Sequence, residues 1–294
     1  MSLSRQNLSI VIVTYKSEAV VYDCINSIGN DIEIIVVENS NDIKFKENLE
    51  KNYSNVSCTI SLKNLGMGTG NNLGIKRAKN DFILILNPDV ILETSTIDEL
   101  ISASKKISRY AILAPISSNT NYPNYKKLNP KSKTIDNKEP QKVRSVDGFA
   151  MLLNKKRLDK IFLKEYFDEN IFMYLENDDL CKRIIEANED IYIVPTSKVK
   201  HLGGKAVDVK YNNEVEFSRN WHWIWSKFYY NEKHFGYLNA FLKGLPKFIS
   251  SLMKYFFYLI LRKKFKKKIY LNRASGFLNA AKKKPSWYRP EIKD

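Results

Sequence analysis

Three places in this chain hold residues whose types and spacing can do chemistry. The first is Phe82–Asp89 (FILILNPD), a short apolar run ending in a proline-locked turn that presents one carboxylate. A carboxylate at the carboxyl end of a buried strand stands in the crevice where open sheets bind ligands. Asp89 there can hold Mg²⁺ or Mn²⁺ against a diphosphate, because hard cations take oxygen ligands and bridge phosphate oxygens. The plain alternative is a turn in which Pro88 and Asp89 are ordinary turn residues. The second place is Glu176-Asn177-Asp178-Asp179. It is either a solvated acidic helix start or a source of a carboxylate that takes the proton of an attacking hydroxyl. The third is His201, one of three histidines, followed by Gly203 and Gly204. A lone histidine is more often structural, but this placement suits a metal or phosphate contact.

Gly66-Met-Gly-Thr-Gly70 invites a dinucleotide-binding reading and fails it on spacing, since Asn71 and Leu73 stand where the third glycine belongs. It also follows the third strand-like run, whereas that fingerprint belongs to the first. A glycine-rich loop against a ligand and a plain flexible turn both remain open.

These groups need a scaffold, and the pattern supplies one. Strand-like runs at Leu8–Thr14, Ile32–Glu38, Val56–Ser61 and Phe82–Leu86 alternate with helical spacing over Ser17–Ile28, Lys44–Lys51, Asn71–Lys79 and Ile97–Ile107. Such alternation predicts an α/β fold with a mostly parallel, doubly wound sheet flanked by helices. Right-handed crossovers then gather Thr14-Tyr15, Glu38-Asn39-Ser40 and Asn87-Pro88-Asp89 at one edge. Residues 117–142 lack periodicity and read as a long surface loop. Structure resumes over Val143–Asn154, followed by a helix after the acidic cluster and short strands at Ile191–Pro195 and Lys198–His201.

The 294 residues are 44% hydrophobic, which makes a folded protein the expectation. Cys24, Cys58 and Cys181 form no CxxC pair and read as reduced thiols, suiting the cytoplasm. The N-terminus has no signal-peptide pattern. The +16 net charge is lopsided: Lys243 to Lys284 carries thirteen basic residues and no acid, and removing them from the total leaves +3. A basic tail of this kind seeks a polyanionic surface, either nucleic acid or anionic lipid. Leu245, Phe248, Ile249, Leu252, Met253, Phe256 and Ile260 recur at helical spacing, interrupted by Lys247 and Lys254. That pattern predicts a helix lying in a membrane surface rather than crossing it, with RKKFKKK (262–268) on anionic headgroups. The aromatic run Trp221, Trp223, Trp225, Phe228, Tyr229 and Tyr230 fits helix packing or an interfacial belt, and His222 and His234 belong with it.

Taken in order, VIVTYKS, IIVVENS, NLGMGTGNN, ILNPDV, VDGFAML, FMYLENDDLCKR and KHLGG resemble the family 2 inverting glycosyltransferases of the GT-A fold. The rhamnosyltransferase-like branch of bacterial surface-polysaccharide synthesis is the most similar, and the resemblance runs from Leu8 to Gly204. RASGFLNAAKKKPSWYRP in the tail is similar to tails of such enzymes. The resemblance implies a Rossmann-like GT-A domain over 1–205, with a nucleotide-sugar half to about 115 and an acceptor half beyond it. A helical, aromatic and basic extension over 206–294 completes the expected organisation. It further implies that Thr14, Tyr15, Glu38, Asn39 and Ser40 hold the base and ribose, with Asn64, Gly66 and Asn71 lining the same pocket. Asn87-Pro-Asp89 stands for the metal motif, so that Asp89 is a metal ligand, Asn87 a ribose or phosphate contact and His201 the second ligand. The usual catalytic base position is Asn177, and an amide cannot take the proton. Asp178 is expected to take that role, with Glu176 the alternative and Asp179 orienting the helix or the acceptor.

The expected activity moves a sugar, with rhamnose a candidate, from a dTDP- or UDP-sugar to a lipid-linked saccharide with inversion. It uses Mg²⁺ or Mn²⁺, at the inner face of the cell membrane. The rivals are a GT-A-fold nucleotide-sugar binder without turnover, motivated by Asn177, and a nucleic-acid-binding protein using the basic tail. The near-neutral body disfavours nucleic acid.

Overall fold

The computed structural model describes residues 2–119, 123–129, 138–162, 165–290 and 292. They divide into two compact units, Met1–Asp168 with Asn177–Asp208, and Glu169–Glu176 with Val209–Asp294.

The first unit is an α/β sheet domain. Its chain runs β1 Leu8–Thr14, α1 Glu18–Ile28, β2 Glu33–Glu38, α2 Ile43–Asn52, β3 Val56–Ile60, α3 Gly66–Arg77 and β4 Phe82–Leu86. It continues with β5 Val90–Leu92, α4 Thr96–Lys106, β6 Ile112–Ser117, β7 Tyr125–Lys127, β8 Gln141–Val146, β9 Ala150–Asn154, α5 Lys155–Leu158, α6 Glu176–Glu186 and β10 Ile191–His201. The strands lie in the order β3-β2-β1-β4-β9-β6-β10-β8-β7, with β5 on β10. Alternation decides which face each side chain serves. Ile10, Ile12, Ile34, Val36, Leu84 and Leu86 join one core with α1, α2 and α4. Val11, Ile35, Ile83 and Ile85 join the other with α3, α5 and α6. Each fully buried aliphatic chain contributes about 1.5–3 kcal/mol, so both faces of every central strand stay apolar.

The sheet is mixed where the sequence pattern predicts mostly parallel. β1 to β4 are mutually parallel, as is β6 with β10. β9 enters antiparallel between β4 and β6, while β5 and β8 run antiparallel to β10. Apolar content cannot distinguish these directions, because a strand buried on both faces reads the same either way. Within the expected loop, β7 pairs with β8; residues 120–122 and 130–137 lie outside the described residues. The two short strands expected after Glu189 are one strand, β10, whose pairing with β6 shifts register between Val194 and Lys198. Pro195 has no amide to give to the ladder, which suits a bulge there. Cys24, Cys58 and Cys181 are free and buried.

The second unit is helical: α7 Asn212–Phe235, α8 Tyr237–Ile260 and α9 Lys264–Ala281. Trp221, Trp225, Phe228 and Phe277 form its core, so most of the aromatic run packs inward, while Trp223 stays 40% exposed. A Cβ on Gly276 would stand 2.5 Å from the Trp221 carbonyl, so α9 reaches α7 only because that residue is glycine. Among the described residues no helix is long and apolar enough to cross a membrane.

His222 is sealed into this unit. Its Nε2 lies 2.7 Å from the Tyr288 carbonyl and its ring sits 4.5 Å from Phe172. Burial pushes its pKa down to about 3, with the Tyr288 carbonyl opposing and Arg289 assisting. Below the ordinary value of 6.5 the unfolded chain therefore gains a proton that the folded unit refuses. Stability should fall as pH drops from about 6.5 toward about 3. Thermal melts followed by tryptophan fluorescence check this, and His222→Gln should flatten the slope.

Candidate active site

The parallel register brings the ends of β1, β2 and β4 to one edge. Thr14 pairs with Glu38, and the Asn39 amide donates to the Thr14 carbonyl at 2.9 Å. Next to them the Asn87 amide donates to the Phe149 carbonyl, also at 2.9 Å, continuing the β4–β9 ladder past Leu86 and Ala150. Asp89 follows and is 2% exposed.

β10 delivers the second group. His201 pairs with Val90 across the antiparallel β5–β10 ladder, so its ring stands beside Asp89, with Nε2 3.4 Å from Oδ1. Phe149 stacks on the imidazole at 4.2 Å and fixes its plane. Asp89 Oδ2 accepts from the Lys205 amide at 3.3 Å, whereas Oδ1 is buried and lacks a hydrogen-bond donor. The side-chain carbonyl oxygens of Asn71 and Asn87 are likewise buried without a donor. Leaving such atoms unmade costs about 1–3 kcal/mol each, more for a charged one.

This donor set fits a divalent cation. An imidazole and a carboxylate oxygen lacking a donor face the same point, and among the described residues no third His, Cys, Asp or Glu gathers with them. Mg²⁺ is commonly held this way, by one or two protein groups plus phosphate oxygens.

The other expected contacts separate into two groups. Glu38 is buried, and its carboxylate accepts from the Ser40 and Asp42 amides at 2.9 and 3.0 Å and from the Ser40 hydroxyl. It therefore shapes the loop after β2. Asn39 is spent on the Gly66 carbonyl and the Ser61 hydroxyl, and Asn64 accepts from the Gly66 amide. Thr14 is fully buried with its hydroxyl toward the Val37 carbonyl. Tyr15 and Ser40 remain half-buried at the edge.

The acidic cluster divides similarly. Asp179 is fully buried and ion-paired with Arg183 at 2.8 Å, so it anchors α6. Asn177 donates to the Val146 carbonyl at 2.8 Å. Asp178 is held by Lys126 at 2.5 Å and keeps 14% of its side chain exposed. Glu176 opens α6, directly after Tyr174 and Leu175, both at a φ of 69°.

Sequence reasoning missed Asp147. It lies in the β8–β9 loop two residues before Phe149, beyond the carboxyl end of β4, and is open to solvent. Desolvation by the surrounding protein and the charge of Asp178 push its carboxyl above the ordinary value, with Lys126 and His201 opposing. Its motif, VDGFAML, carried no spacing signal; only the antiparallel entry of β9 puts it over the crevice.

The sequence profile of Glycosyl transferase family 2 matches residues 9–162, just over half of the chain. The chain belongs to glycosyl transferase family 2. The low-salt glycan biosynthesis hexosyltransferase Agl10 of Haloferax volcanii is 27% identical over 202 residues, 63% of this chain and 64% of that protein. The match thus spans less than two thirds of its relative. Among solved structures, the mannosyltransferase PcManGT from Pyrobaculum calidifontis, in complex with GDP-Man and Mn²⁺, aligns with a TM-score of 0.57 at 9% identity. That alignment covers 94% of this chain and 87% of the other. GalNAc-T7 with UDP, GalNAc and Mn²⁺ aligns with a TM-score of 0.55 at 17% identity, covering 66% and 42%. At these identities the likeness establishes the GT-A-like fold of the family 2 domain.

The glycine-rich segment of this domain is helical. It is the first turn of α3, which begins at Gly66, five residues before the expected helix start. A Cβ on Gly70 would meet Val13 at 2.9 Å, and one on Gly74 would meet Val11 at 2.3 Å. The glycines let α3 press on β1, which holds Asn71 at the edge. Gly74→Ala should therefore cost about 1–3 kcal/mol by overpacking, read as a lower urea midpoint.

Proposed function

We propose that this family 2 glycosyltransferase moves one sugar from a nucleoside-diphosphate sugar to a lipid-linked saccharide, with inversion. The observation carrying the reading is the buried Asp89 carboxylate oxygen, lacking a donor and facing His201 at 3.4 Å. Asp89 and His201 would hold Mg²⁺ or Mn²⁺ in this reading, and the bound cation would supply positive charge against the diphosphate. Asn71 and Asn87 offer their buried oxygens to donor hydroxyls, and Tyr15 and Ser40 border the base. The dTDP- or UDP-linked donor, with rhamnose as its sugar, rests on the order of the motifs.

In a single displacement the acceptor oxygen bonds to the anomeric carbon as the carbon–phosphate oxygen bond breaks. The diphosphate leaves with the electron pair, and the hydroxyl proton passes to a carboxylate. Asp178, the carboxylate next to Asn177, is the expected acceptor, but the Lys126 ammonium occupies it. Asp147 is open and has a raised proton affinity, which suits a general base better. We therefore assign the proton to Asp147 and a positioning role to the Lys126–Asp178 pair.

Asp147→Asn should lower kcat by about 10²-fold or more with donor affinity unchanged, and Asp178→Asn by less. The acid limb of the wild-type pH profile should lie above the ordinary aspartate value of 3.8, since the base must be ionised, and should vanish in Asp147→Asn. Single-turnover assays decide. A fully active Asp147→Asn with a dead Asp178→Asn returns the role to Asp178, and loss only in Glu176→Gln moves it there.

Donor binding gives a separate test. UDP or dTDP with Mn²⁺ should raise the thermal midpoint, because a ligand at about 100 Kd adds about 2.7 kcal/mol. Asp89→Ala should abolish the Mn²⁺-dependent part and keep the fold.

An anionic membrane surface completes the reading. On α8, Leu238, Leu242, Ile249, Met253, Phe256 and Ile260 are all about half exposed or more, and at 3.6 residues per turn they share one stripe about 60° wide. An apolar stripe beside basic flanks suits a helix lying in a headgroup layer.

A further inference from the structure

We propose that a cavity inside the helical unit binds a phosphate carried on a single apolar chain. The cavity is about 190 Å³, smaller than the roughly 300–1,000 Å³ that encloses drug-sized ligands, so it holds one end of a longer molecule. Ile224, Phe228 and Phe277 supply apolar lining; Lys227, Lys243, Lys247 and Asn231 supply polar lining. Neither α8 nor α9 offers Lys243 and Lys247 a carboxylate. From Tyr237 to Pro290 the sequence contains no Asp or Glu, and among the described residues no carboxylate pairs with Lys243 or Lys247. Among the described residues Lys243 reaches the Asn231 side-chain oxygen, at 3.4 Å, and the Phe235 ring. Lys243 and Lys247 are also one turn apart on α8, where like charges repel unless an anion bridges them.

The lining therefore asks for two things together, an anion at the lysines and hydrocarbon against the aromatic rings. The Lys243 and Lys247 side chains suit a phosphate, and the small volume suits one chain better than a pair of them. Position on α8 agrees. Lys243 and Lys247 occupy the flank between the exposed apolar stripe and the buried face of Ala240 and Ser251. If the stripe rests in a bilayer, as the proposed function has it, that flank lies at the depth of lipid phosphates. A saccharide anchored through a phosphate on one long chain has the matching chemistry.

The test uses the full chain and isothermal titration with farnesyl phosphate, farnesol and inorganic phosphate. Farnesyl phosphate should bind at least tenfold tighter than either fragment. Lys243→Gln/Lys247→Gln should lose at least tenfold, whereas Lys266→Gln/Lys267→Gln on α9 should lose little. Unchanged affinity in the first variant, or farnesol binding as tightly as its phosphate, overturns the proposal. So does a variant that fails only on phosphatidylglycerol vesicles while farnesyl phosphate binds neither protein, since the lysines then serve bilayer headgroups. Stabilisation by UDP or dTDP with Mn²⁺ should be the same in the wild type and both variants. Its absence from all of them would sink the donor reading and leave the cavity result standing.

Discussion

A carboxylate oxygen buried without a donor is the constraint around which the sheet unit is arranged. Water is excluded from Asp89, and a charge held that way is costly unless something positive meets it. The fold accepts the cost because the sheet fixes the position from several sides. β4 and β9 hold Asn87, β5 hydrogen-bonds to β10, and the Leu202 amide closes on the Asp89 carbonyl at 3.0 Å. Such a site is preorganised, which is what electrostatic catalysis requires, because no reorganisation is then needed when charge develops.

Polar residues around this point also brace the scaffold. Glu38, Asn39 and Asn64 turn their side chains onto backbone groups of neighbouring loops, and the result is a rigid edge. Asp179 does this for α6 through Arg183. Set apart from these are Asn71, Asn87 and Asp89, each with a buried oxygen that lacks a donor, and His201 beside Asp89.

Much of this was legible in the sequence. Apolar runs of five to seven residues with helical spacing between them located the first four strands, and the rule that parallel strands end on one edge located Asp89. His201 stood out as a rare residue at a strand end. Asp147 was not legible, because its place depends on β9 entering antiparallel, and a doubly buried strand carries no mark of direction. Nor were the glycines of α3: Gly70 and Gly74 respond to the side chains of Val13 and Val11, which are distant in sequence. The roles of Glu38 and Asn39 were hidden because a side chain's hydrogen bonds follow from loop geometry, and residue type does not determine them.

The irregularity in β10 has an arithmetic consequence. Side chains alternate faces along a strand, so the number of residues between Val194 and Lys198 sets the side on which everything after them points. Deleting or adding one residue in Pro195–Ser197 while the ladder with β5 re-forms would turn His201 away from Asp89 and bring Lys200 or Leu202 to its place. Length in this segment is therefore fixed twice over: a change of one residue puts the ring on the other face, and a change of two restores the face but leaves the ring about 6.6 Å along the strand from the carboxylate.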